Sequence, residues 1–140
     1  MNQEKTFFNK TTKAWFIFSG AVSFYFICCL QRVAPAVIAD DFMRHFVVGA
    51  GTYGLISASY FYAYAGLQIP AGILLDRFGI AKPMVIATFL CAVGILIFSL
   101  ADNYYLAFLG RAVVGAGAGF SWIGVLRLSS LWFPKNKYAF

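Results

Sequence analysis

A chain of 140 residues that is 61% hydrophobic and 11% charged does not read as an ordinary soluble domain, whose charged fraction is about a quarter. Outside its long apolar runs no stretch is long enough for a separate core, which leaves little room for a soluble catalytic domain, so no enzyme is expected. The formal net charge of +6 is dispersed along the chain and forms no basic patch with interleaved aromatics, so nucleic acid is not an expected partner; the lipid bilayer is.

In chain order, a polar tail over 1–13 precedes apolar runs at about 14–39, 52–75, 84–101 and 104–133, and 134–140 opens a further loop. Each run meets the roughly 18 to 25 residues that cross a bilayer at about 1.5 Å per residue. The expectation is an all-α membrane protein with four transmembrane helices. Lys5 to Lys13 followed by Ala34-Pro35-Ala36 imitates a cleavable signal, but the apolar stretch exceeds the roughly 7 to 15 residues of a signal core, which favours an uncleaved first helix. The connections are about a dozen residues from Asp40 to Gly51, the segment between the second and third runs, and Asp102-Asn103, so consecutive helices are expected to be antiparallel.

Lys5, Lys10 and Lys13 precede the first run, Arg77 and Lys82 lie between the second and third, and Lys135 and Lys137 follow the fourth. The opposite connections hold Arg44 among Asp40, Asp41 and Asp102. By the positive-inside rule the N-terminus, the segment around Arg77 and the loop opened by 134–140 are expected to be cytoplasmic. Cys28, Cys29 and Cys91 lie inside apolar runs without CxxC spacing and read as plain membrane-helix thiols; no metal or cofactor is expected. His45 reads as a solvated loop residue.

Helices meet in lipid by close backbone approach, and the run Gly115, Gly117, Gly119 supplies small residues for it, with Ala58, Ala63, Ala65 and Gly66 offered by the second run. The glycines are not a dinucleotide fingerprint, since Phe120 stands where a third glycine is needed and no strand precedes them.

Arg111 stands about seven residues into the fourth run, roughly 10 Å deep. At that depth an arginine costs about 2.5 to 3.5 kcal/mol unless it meets protein or water, so it points inward; snorkelling or a structural pairing is the alternative. Arg32 stands late in the first run, with Tyr25, Cys28 and Cys29 on roughly the same face, and either binds an anionic group or snorkels. Pro35 can kink that helix and free carbonyls. Tyr53, Tyr60, Tyr64 and Gln68 share one helical face and line either a cavity or a helix contact. Arg127, near Trp132, Phe133 and Pro134, reads as an interface anchor. The mid-membrane positions hold no carboxylate, and with Arg32 and Arg111 as the buried charges an anionic or zwitterionic solute is preferred.

The stretch GILLDRFGIAKPM from Gly72 to Met84 carries Gly72, Asp76, Arg77, Gly79 and Lys82 in a Gly-x-x-x-Asp-Arg-x-Gly pattern with a basic residue after it. It resembles the signature loop between the second and third helices of the major facilitator superfamily, with Ile80 and Ala81 where that family usually has more basic residues. Arg111, Gly115 and Gly117 are similar to the Arg-x-x-x-Gly-x-Gly of its fourth helix. The resemblance implies a multi-pass cell-membrane transporter, in a bacterial inner membrane, moving a small solute by alternating access, with protons a candidate coupling ion. It implies a substrate-handling or proton-coupling role for Arg111 and a conformational latch at the loop, where Asp76 would face a helix N-terminus in the other half. That family has twelve helices, so the chain is expected to be an N-terminal segment whose partners are the remaining eight. A non-transporting scaffold or sensor is one alternative. A small four-helix multidrug transporter acting as a dimer is another, although the first run lacks the glutamate which that family uses.

Overall fold

The computed structural model describes residues 2–132, with side chains described for 15–130. The side chains of Lys5, Lys10, Lys13 and Trp132, together with Phe133, Pro134, Lys135 and Lys137, lie outside the described residues. Among the described residues the chain is all-α: α1 spans Asn2–Phe46, α2 Ala50–Phe78, α3 Ala81–Ser99 and α4 Tyr104–Trp132.

The first helix differs most from the sequence reading. Helix α1 takes in the polar residues from Asn2 onward and continues past Asp40, so no dozen-residue connection follows, and only Val47, Val48 and Gly49 separate it from α2. Asp40, Asp41, Arg44 and His45 are polar enough to look like a loop, yet they are exposed while Phe42 between them is buried. Phe42 packs its ring 5.2 Å from Tyr53 and 5.9 Å from Phe98, which gives the extra turns an apolar anchor. The helix stops where Val47 turns to φ 52.

Asp76 and Arg77 belong to the end of α2, and Lys82 to the first turn of α3, so the connection between them is Gly79 and Ile80 alone. Gly79 has φ 77 and ψ 175, a conformation open essentially to glycine only. Arg77 in the last turn of α2 suits the negative end of the helix.

Among the described residues three helices contain stretches long and apolar enough to cross a membrane: Trp15–Phe46, Ala81–Ser99 and Tyr104–Ser130. At 29 residues α2 is long enough, about 43 Å, but its tyrosines, serines, glycines and Gln68 dilute its hydropathy. Some of its polar side groups meet partners inside the bundle: Ser59 Oγ donates to the Phe108 carbonyl at 3.1 Å, and Tyr60 Oη to the Cys28 carbonyl at 3.5 Å.

Helix α4 is the centre of the bundle: half of its 18-residue apolar stretch is buried, against 17% for α1 and 22% for α3. It packs along both α2 and α3 and, less extensively, α1. A Cβ on Gly94 would meet Val114 N at 2.7 Å, one on Gly110 would meet Phe98 N at 2.7 Å, and one on Gly117 would meet Cys91 Sγ at 2.6 Å. One on Gly124 would run into the Met84 thioether. The two residue numbers in each of these pairs have the same sum, which is the register of an antiparallel pair. Gly110, Gly117 and Gly124, seven apart, therefore form one face of α4 against α3.

Gly115 and Gly119 face α2. A Cβ on Gly115 would collide with the Tyr60 carbonyl, and one on Gly119 would lie 3.3 Å from the Tyr64 oxygen, so α2 and α4 run parallel. The glycine-rich run thus serves two neighbours at once. Gly66 is not part of this packing: a Cβ there would meet nothing within 4 Å, and Ala65 is exposed. The close approach on the α2 side comes from the backbone at Tyr60 instead.

Candidate functional site

Arg111 is 2% exposed, on the face of α4 that meets both α1 and α2. Its Nη1 donates to the Gln31 carbonyl of α1 at 2.8 Å. The guanidinium lies 5.0 Å from the Tyr60 ring centroid and 5.7 Å from that of Phe98, within cation–π range. Nε and Nη2 are buried without a hydrogen-bond partner among the described residues. A buried polar group without a partner is costly, and more so when charged, so this edge of Arg111 is an unfilled donor pair.

The aromatic stripe of α2 continues the arrangement. Tyr60 is 0% exposed and stacks on Tyr64 with centroids 6.1 Å apart and planes 9° apart. Arg32 of α1 lies over the far member, 4.9 Å from the Tyr64 centroid, and its Nε is also buried and unpartnered. Two guanidiniums are thus joined through a pair of stacked phenols. The electron-rich ring faces favour the cations without neutralising them, so the cluster keeps its positive charge. Gln68 is half-buried one turn beyond Tyr64, and no contact among the described residues ties it to the cluster. Tyr53 stands at the other end of the stripe, where its hydroxyl donates to the Pro35 carbonyl.

The residues of the signature stretch gather at the α2–α3 end. Gly72 has open space where its Cβ would be, and Arg77 and Lys82 are exposed, Arg77 with its guanidinium 5.7 Å from the Phe78 ring. Asp76 forms an ion pair with Arg127 of α4. The sequence reading placed Arg127 at the lipid interface and Asp76 opposite another half of the protein; within this chain the two meet each other. They also line an apolar cavity of about 1020 Å³ with Ile17, Phe24, Met84 and Leu128. Neither Arg32 nor Arg111 lines that cavity, so the α2–α3 end and the arginine cluster are separate features.

Cys28 and Cys91 are buried core thiols and Cys29 is half-buried; all three are free. Among the described residues no group of three metal-ligating side chains occurs.

The helical bundle thus combines a glycine-capped turn between α2 and α3 with an inward arginine on a glycine-lined α4. The Major Facilitator Superfamily model matches residues 16–140, and the chain belongs to that superfamily. An uncharacterized transporter of Bacillus subtilis (strain 168), YybO, is 26% identical over 88% of this chain and 28% of its own length. The probable sulfoacetate transporter SauU of Cupriavidus necator is 26% identical over 83% of this chain and 27% of its own. The probable galactarate/D-glucarate transporter GudP of Pseudomonas putida is 31% identical over 76% of this chain and 25% of its own. The chain thus spans about a quarter of the length of these curated relatives. No solved structure matches it.

Proposed function

We propose that this chain is part of a secondary transporter that moves a small anionic solute across a cell membrane by alternating access, with Arg111 and Arg32 as its anion-binding residues and Tyr60, Tyr64 and Gln68 beside them. The observation that carries the reading is Arg111, 2% exposed with Nε and Nη2 unpartnered. Those two nitrogens form one edge of the guanidinium, the fork that takes a carboxylate or sulfonate through two parallel hydrogen bonds. An intramembrane cation kept without a carboxylate partner is a functional site by default. The solutes for which GudP and SauU are named, galactarate or D-glucarate and sulfoacetate, are of this charge class. Protons are the candidate coupling ion.

The α2–α3 turn serves as the latch of the access cycle, with Gly72, Asp76, Arg77, Gly79 and Lys82 on the cytoplasmic side, as the positive-inside rule orients the chain. The Asp76–Arg127 pair links the ends of α2 and α4, which already pack closely at Gly115 and Gly119, so that the two helices move as one body when the latch opens.

The test is uptake of labelled D-glucarate and sulfoacetate by proteoliposomes carrying the complete gene product. Uptake of either anion, lost on Arg111→Ala and not competed by a neutral sugar, is the expected result. Uptake unchanged by Arg111→Ala, or no uptake of either anion, contradicts it.

A further inference from the structure

Pro35 lies inside α1. A proline has no N–H to give to the carbonyl four residues earlier, and its ring pushes against that carbonyl. In α1 the carbonyl concerned is that of Gln31, and it is the one that accepts from Arg111 Nη1 at 2.8 Å. The carbonyl of Pro35 itself accepts from the Tyr53 hydroxyl. The proline turn is therefore bonded to α4 through the acceptor it frees and to α2 through its own.

The bond also determines which part of Arg111 is left over. With Nη1 committed to Gln31 and the guanidinium within cation–π range of Tyr60 and Phe98, the remaining Nε and Nη2 share the opposite edge. We infer that Pro35 is a positioning residue for Arg111: by withdrawing one backbone N–H from α1 it supplies the acceptor that orients the guanidinium and leaves its Nε/Nη2 edge free for an anion. This rests on the reading of Arg111 as an anion-binding residue. An alanine at 35 restores an N–H that returns the Gln31 carbonyl to the helical ladder, and Arg111 loses its fixed orientation. Replacing the amide at 35 by an ester of lactic acid removes the N–H without a ring, so it separates the missing donor from a ring-induced kink.

The experiment uses the complete gene product in lipid bilayers, with ¹³C at the Gln31 carbonyl and ¹⁵N on arginine. Solid-state NMR through-space transfer from that carbonyl to Arg111 Nη is expected in the wild type and the ester variant and is expected to fall by half or more in Pro35→Ala. Its absence from the wild type, or equal intensity in Pro35→Ala, overturns the inference. D-Glucarate and sulfoacetate binding is measured on the same samples. Affinity is expected to drop about tenfold in Pro35→Ala and to recover to within about twofold in the ester variant. If the wild type binds neither anion, the anion reading fails while the NMR arm still decides the positioning. If the wild type binds and Pro35→Ala binds equally well, the positioning fails alone. Should Pro35→Ala not fold, the ester variant decides: retained transfer supports the inference and lost transfer overturns it.

Discussion

Gly115 and Tyr60 bring α4 and α2 so close that a Cβ on the glycine would collide with the Tyr60 carbonyl, and no side chain fits at that point. The obstructing atoms are backbone and cannot turn away as a flexible side chain would. Gly115→Ala is expected to destabilise the bundle by about 1 to 3 kcal/mol or more, measured by SDS titration in mild detergent. Gly66→Ala, where a Cβ meets nothing, is the matched control and is expected to be neutral or slightly stabilising.

Gly79 caps α2 at φ 77 and ψ 175. Gly79→Ala there is expected to cost about 1 to 3 kcal/mol, although the space around it is open. The same titration reads it, and a neutral result would mean that the turn relaxes to another backbone conformation.

Val47 poses the opposite case, a β-branched residue at φ 52 that is 90% exposed. Its side chain contributes little packing, and the left-handed conformation costs roughly 1 to 2 kcal/mol. Val47→Gly is expected to raise stability by a sizeable part of that amount, offset by the greater freedom of glycine in the unfolded chain. A loss of stability would argue against strain at this turn.

Much of the fold was legible because apolar runs of membrane length have few structural alternatives. The end of α1 was not, because Asp40, Asp41, Arg44 and His45 masked the apolar phase of Ala39, Phe42 and Phe46. The Gly115 to Gly119 run was visible, but Gly110 and Gly124 stood outside it; their seven-residue spacing through Gly117 was the available signal. Arg111 and the tyrosine stripe were marked by charge at depth and by helical spacing. Gln31 carried no such mark, since the atom that meets Arg111 is a backbone carbonyl. Arg127 was missed because its pairing with Asp76 depends on the parallel register of α2 and α4, which only the packing reveals.

Asp76 and Arg127 are 61% and 38% exposed, and an ion pair so exposed contributes about 0 to 1 kcal/mol. Arg127→Ala is therefore expected to leave stability nearly unchanged. Arg127→Glu places two carboxylates together, and transport by the complete gene product is expected to fall. The double change Asp76→Arg with Arg127→Glu restores opposite charges and is expected to recover transport in part; no recovery would show that these positions act independently.

The free edge of Arg111 is expected to meet the solute directly. The most direct measurement is solid-state NMR of the complete gene product with ¹⁵N-arginine and ¹³C-carboxylate D-glucarate bound in the bilayer. Short-range transfer between the carboxylate carbon and Arg111 Nε and Nη2, absent in Arg111→Lys, is the predicted result. Bound D-glucarate that shows no transfer to Arg111 would contradict the account.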